Sequence, residues 1–153
     1  MTPRRVLVIG YGNTLRRDDG FGPIVAARLR ERVQHPQVKI LTRQLLSVEL
    51  VTDLEQADLC VLVDAATTGA TGQLDVREVE AQAIEVGSIG HDLSAASLLG
   101  LTQQLMGRSP KCILHSTLPA SMDLGEELTQ HVAALVGPTV DTIARLIGDY
   151  LAD

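Results

Sequence analysis

Asp19, Asp64 and His91 are the residues of this chain best suited to chemistry by type and setting. Asp19 lies in GYGNTLRRDDGFG, Asp64 ends the apolar run LCVLVD, and His91 stands in GSIGHDLS. Each follows a strand-like run or opens a helix-like one. A parallel sheet gathers the carboxyl ends of its strands along one rim, where open α/β folds bind their ligands. Positions far apart in sequence could therefore face one cleft. Two carboxylates and an imidazole form a borderline-hard donor set able to hold one divalent ion, nickel or zinc among others. Three protein ligands leave room for water or substrate.

Each of these residues also has a plainer use. Asp18 and Asp19 both sit just ahead of a helical pattern, where a carboxylate can cap the helix or complement its dipole. Capping is the favoured reading for Asp18, and because two adjacent aspartates exceed what one cap requires, one of them is free to point into the cleft. Asp64 could close an Asx-turn for the following ATTGATG loop, but a carboxylate buried without a partner there would be costly. His91, taken alone, reads more readily as a solvated residue or a cap than as a ligand. His35 precedes Pro36 in a loop, His115 ends a strand-like run and His131 falls on the last helix, so all three are weaker candidates. Cys60 and Cys112 lie in the apolar runs DLCVLVD and KCILHS and read as buried reduced thiols. No C-x-x-C pair offers a thiolate zinc site, and no Ser/His/Asp or Cys/His nucleophile arrangement is evident. An aspartic dyad of Asp19 and Asp64 would need close carboxylates sharing one proton, which spacing does not establish.

The elements that must position these residues are legible as alternating runs. Residues 5–10 (RVLVIG), 38–41, 57–64 (ADLCVLVD) and 111–116 (KCILHS) are short apolar stretches of the kind found in strands covered on both faces. Residues 74–79 (LDVREV) alternate and fit a half-exposed edge strand. Helical spacing marks residues 22–33, with Pro23 in the first turn, and residues 47–55, with Ser47 as N-cap. It also marks residues 91–106, closed by Gly107 and Pro110, and residues 129–151, with Thr129 as N-cap and Pro138 expected to kink or split the helix. Residues 67–72, 81–90 and 118–125 read as loops. Strands alternating with helices predict an α/β domain, with a mostly parallel sheet between helical layers, spanning residues 1–153.

Composition narrows the partners. The formal net charge of −6 opposes a nucleic-acid binder, which needs a basic footprint. With no Trp, one Phe and two Tyr, stacking platforms for bases are lacking and the core must be aliphatic. No stretch approaches the ~20 apolar residues of a membrane span. The start MTPRRVLVIG superficially resembles a leader, but its apolar run is short and Tyr11, Gly12 and Asn13 follow, so it reads as a first core strand in a cytoplasmic protein. A dinucleotide site is not expected either. The glycine fingerprint breaks at Leu15, and Asp18 and Asp19 would repel a pyrophosphate. The P-loop lysine is missing as well.

The stretch GYGNTLRRDDGFGPIVAARL closely resembles the opening of the hydrogenase maturation endopeptidases, which remove a short C-terminal extension from the large subunit of nickel–iron hydrogenases. The opening pattern G-x-G-N-x-L-x-x-D-D/E-G-x-G is fairly specific, because it couples turn glycines to a carboxylate at a fixed distance. Resemblance continues through LCVLVDAATTG and GHDLSAASLLGLTQQLMG to LGEELTQHVAALV, nearly the whole chain. It implies a three-layer αβα sandwich whose twisted, mostly parallel five-stranded sheet has one antiparallel edge strand. It implies a metal site of Asp19, Asp64 and His91, with the two aspartates also candidates for bond cleavage. The metal would be nickel carried by the substrate, no nucleotide would be used, and the partner would be a hydrogenase large-subunit precursor.

The chain departs from relatives in three places. TRQLLSVEL stands where many carry a D-G-G-T-x-G-like loop, Ala70-Thr71-Gly72 replaces a Pro-Gly, and STLPASMDLG differs from a Gly-x-x-Pro-x-Ser run. These variants resemble a subgroup linked to soluble, cofactor-reducing hydrogenases and bear on the choice of client. The loops around residues 44–49 and 81–90 are expected to supply that selectivity. Two rivals remain at the level of sequence: a non-catalytic, metal-dependent chaperone of the immature large subunit, and a peptidase-like relative with another precursor as client.

Overall fold

The computed structural model describes residues 2–66, 69–85 and 93–153. In chain order the elements are β1 (Val6–Tyr11), α1 (Phe21–Arg32), β2 (Val38–Arg43), α2 (Val51–Gln56), β3 (Leu59–Ala65), β4 (Asp75–Val79), α3 (Ala95–Met106), β5 (Lys111–Thr117) and α4 (Gln130–Ala152). Single 3-10 turns, Arg17–Gly20 and Val48–Leu50, lead into α1 and α2. The strands form one five-stranded sheet in the order β2-β1-β3-β5-β4. β1 pairs in parallel with β2 and β3, β3 pairs in parallel with β5, and β4 lies antiparallel against β5 at one edge. This is the sheet the sequence predicts.

Both faces of the central strands are covered, which is why they read as unbroken apolar runs. One face, built from Val6, Val8, Val61 and Val63, packs on Phe21, Val25 and Leu29 of α1 and on Val132, Val136 and Ile143 of α4. The other, built from Leu7, Ile9, Cys60, Leu62 and Cys112, packs on Leu50, Leu54, Leu98 and Leu101. Cys60 and Cys112 are register partners on β3 and β5, fully buried and not disulfide-bonded. A hydrogen bond with the Cys112 thiol, and then burial, push the Cys60 thiol well above its ordinary pKa.

The chain leaves β1 toward β2 on one side and later returns to β3 on the other. The connections after β1 and β3 therefore diverge, opening a crevice at the carboxyl ends of these two strands.

The third and the last helices differ from the sequence expectation. The third helix begins at Ala95, not at residue 91, because the Ser94 hydroxyl accepts the Ser97 N–H at 3.1 Å and so supplies the N-cap. His91 itself lies outside the described residues, as do all of residues 86–92. The last helix runs unbroken through Pro138. Its buried stripe of Val132, Val136, Val140 and Ile143 continues across the proline, and the Thr142 hydroxyl donates to the Pro138 carbonyl at 2.9 Å. Tertiary packing of that stripe overrides the local preference for a break. Residues 81–85 are loop, as expected, and are fastened to α3. Gln82 N–H donates to Ala96 O at 2.9 Å, and the Gln104 amide both donates to and accepts from the Ile84 backbone.

Candidate active site

The crevice is organised by close backbone contacts. A Cβ on Gly22 would fall 2.2 Å from Val63 O, and one on Gly10 would fall 2.1 Å from Gly22 O. Only glycine lets the start of α1 rest directly on the ends of β1 and β3. Gly12 then turns the chain at φ 144°, with Asp19 O in the space a side chain would fill. These contacts hold the segment that bears Asp19 at the carboxyl rim of the sheet.

Asp19 is half-buried there. Its Oδ2 accepts the Asn13 N–H at 2.7 Å, and Asn13 Oδ1 accepts the Leu15 N–H at 2.9 Å, closing the Asx-turn expected of that asparagine. Oδ1 of Asp19 takes no hydrogen bond from the described residues. Asp64 lies at the half-buried end of β3. By strand alternation it shares the face of Cys60 and Leu62, the face on which the Tyr11 ring packs. Burial, reinforced by the nearby Asp64 carboxylate, pushes the Tyr11 phenol's pKa far up. Tyr11 therefore stays a protonated donor. The turn of Tyr11, Gly12 and Asn13 thus borders both aspartates: Tyr11 shares the face of Asp64, and the Asn13 N–H donates to Asp19.

Asp18 faces away from this arrangement. It is fully buried and takes N–H bonds from Ala120 at 2.8 Å, Ser121 at 3.1 Å and Thr129 at 2.7 Å, and an O–H bond from Thr129 at 2.7 Å. Burial alone would raise its pKa, but the Thr129, Ala120 and Ser121 donors outweigh it and hold the carboxyl below its ordinary value. Asp18 does act at a helix start, as its position suggests. The helix, however, is α4, and the Thr129 hydroxyl donates outward instead of capping α4. Leu15, Arg16 and Arg17 reinforce the same seam. Gly125 N–H donates to Leu15 O, Arg17 N–H donates to Gly125 O, and Arg16 Nε donates to Met122 O.

Beside Asp19 an open depression of about 320 Å³ runs toward β2, lined by Gly12, Asn13, Thr14, Leu15, Pro23, Thr42, Arg43 and Gln44. Among the described residues, no group of three or more His, Cys, Asp or Glu is close enough to hold a metal ion. The described part of the rim supplies the two carboxylates; the third expected donor, His91, is outside it.

No family model matches the chain. Curated relatives do. The hydrogenase expression/formation protein HupD of Bradyrhizobium diazoefficiens is 31% identical over 95% of this chain and 79% of its own length. The chain belongs to the hydrogenase maturation endopeptidase family. The hydrogenase 2 maturation protease of Escherichia coli is 29% identical over 91% of this endopeptidase and 88% of its own length. Solved structures agree. The hydrogenase maturating endopeptidase HybD of Escherichia coli superposes with a TM-score of 0.78 at 25% identity, covering 95% of this chain and 93% of its own. The maturation protease HycI of Thermococcus kodakarensis gives 0.76 at 26%, covering 94% and 92%. This maturation endopeptidase is therefore a hydrolase with the family's fold.

Sequence reasoning puts Asp19 and Asp64 at the rim but gives Tyr11 no part there and does not show what Asp18 binds. Tyr11 was visible only as an unusual aromatic between turn glycines; that it occupies the same face as Asp64 follows from a register that a sequence does not print. Asp18 was assigned to capping, but its partners lie about a hundred positions downstream, with no local signal.

Proposed function

We propose that this endopeptidase removes the C-terminal extension of a nickel-loaded nickel–iron hydrogenase large-subunit precursor, with Asp19, Asp64 and His91 holding or recognising the metal. The observation that carries this reading is that Asp19, held by the Asn13 N–H, and Asp64, at the end of β3, both stand at the switch point of the sheet. Their donor chemistry suits a divalent ion, and Asp19 keeps Oδ1 unbonded by the described residues. A divalent ion so held would polarise the scissile carbonyl or report that the client carries its metal. In either case the two aspartates orient the junction, and a carboxylate within reach can take the proton of the attacking water.

The depression between the Gly12–Asn13 turn and Thr42–Gln44 would receive the client's extended segment. Beyond it, Leu46 is buried in the core while Leu45 and Val48 face solvent, so this stretch is anchored and still displays variable side chains to a partner. No helix among the described residues is long and apolar enough to cross a membrane.

The test is mass spectrometry of a candidate large subunit, with and without nickel, before and after incubation with the protein. Loss of a C-terminal peptide from the nickel form alone is the expected result. Binding without a new C-terminus would replace the peptidase by a chaperone. Asp19→Ala, Asp64→Ala and His91→Ala should each abolish processing while leaving the circular dichroism spectrum unchanged; normal trimming by all three would overturn the assignment.

A further inference from the structure

We infer that the seam joining residues 15–17 to residues 121–127 is a docking surface for the hydrogenase precursor, an apolar patch with an acidic rim that fits an apolar client segment flanked by basic residues. The inference rests on the function proposed above and adds to it a surface built by the chain between β5 and α4.

Apolar side chains scattered singly over a surface are ordinary, but several on one rigid mount mark a contact site. Leu15, Met122 and Leu124 all face solvent, Leu124 at 86% of its full exposure. They are remote in sequence yet mounted together. Arg16 and Gly125 form a parallel bridge, which sets Leu15 opposite Leu124. Gly125 N–H donates to Leu15 O at 2.9 Å, Arg17 N–H to Gly125 O at 2.8 Å, and Arg16 Nε to Met122 O at 3.0 Å. Arg17 Nε donates to Glu127 O at 3.1 Å. Arg17 also takes φ 43°, the one positive value at a non-glycine among the described residues. Strain of this kind persists only where neighbours over-determine it, and it clusters at functional surfaces.

The rim selects the partner. Asp123, Glu126 and Glu127 are exposed, form no ion pair among the described residues, and border an open depression of about 600 Å³ beside Leu124. Isologous pairing with a second copy would set these carboxylates against one another, so their charge favours a basic client segment. The seam is also continuous with the candidate site. It leads directly into Asp18 and Asp19, and Leu15 borders the depression beside Asp19 as well. A client resting on the seam is thereby brought up against the aspartates.

Leu124→Ser and the double variant Asp123→Lys/Glu126→Lys alter the patch and its rim. Leu105→Ser, at a leucine of α3 that is 59% exposed, is the control. For each protein kcat and KM on nickel-loaded precursor are measured at low and at moderate salt, with Tm and sedimentation velocity alongside. The expected result for Leu124→Ser is a KM raised roughly 10–30-fold, as for loss of an interface anchor, with kcat and Tm near wild type. Charge reversal should raise KM at low salt, and screening should shrink that rise as salt is added. Leu105→Ser should match the wild type. Wild-type KM at low salt in either patch variant, or an equal loss in Leu105→Ser, overturns the inference while the proposed function stands. A wild-type dimer that Leu124→Ser dissociates with unchanged precursor kinetics also overturns it, because the patch then holds a second copy. A wild-type protein that leaves nickel-loaded precursor intact instead removes the proposed function, and the inference with it.

Discussion

Asp18 and Asp19 are adjacent, chemically identical and put to opposite uses. Asp18 spends both oxygens on four donors from residues 120–129, and Asp19 commits one oxygen to Asn13. Asp18→Asn would set an amide N–H₂ against donors and remove the charge that strengthens these bonds. We expect a loss of about 2–4 kcal/mol, a Tm lower by roughly 5–15 °C, measurable by calorimetry. Because the folded-state pKa of Asp18 lies below its ordinary 3.8, its contribution is present above that value and fades as pH falls through the folded pKa. Nothing in the dipeptide tells the two aspartates apart. The sequence shows that one carboxylate is surplus to a cap, and only the register of a distant segment shows which.

At the scale of elements, the helix start is as decisive as the strands. Gly22 is where α1 touches both β1 and β3, and a methyl there would overlap Val63 O. Gly22→Ala should therefore shift the segment carrying Asp19. A cost of about 1–3 kcal/mol from overpacking should come with a larger kinetic loss, since a displacement of about 1 Å can reduce rate by ~100-fold. Comparing kcat/KM with urea stability separates the two. The strands were legible because double-sided burial leaves continuous apolar runs, and β4 because an edge alternates. The start of α3 was not, since His91 and Ser94 both offer capping chemistry and only the Ser94–Ser97 bond decides. The unbroken course of α4 through Pro138 depends on a buried stripe whose partners are remote in sequence.

For the whole molecule, acid resistance should be set by more than the site. His115 on β5 is buried with Nδ1 lacking a hydrogen-bond partner among the described residues. Burial holds its pKa below the ordinary 6.5, against a weaker opposing contact with the Ile113 backbone. The unfolded chain thus binds a proton more readily than the fold, so stability falls as pH drops below about 6.5. Urea unfolding at about pH 7.5 and about pH 5.5 should show this loss, and His115→Leu should shrink the difference between the two. Cys60 and Cys112 give the same sheet an internal reporter. Shielded side by side at its centre, neither sulfur is within reach of a thiol reagent in the intact fold. Chromogenic labelling should consequently wait for opening of the whole sheet and modify both sulfurs with one time course, making an unmodified sample its own clock for how often the molecule comes apart.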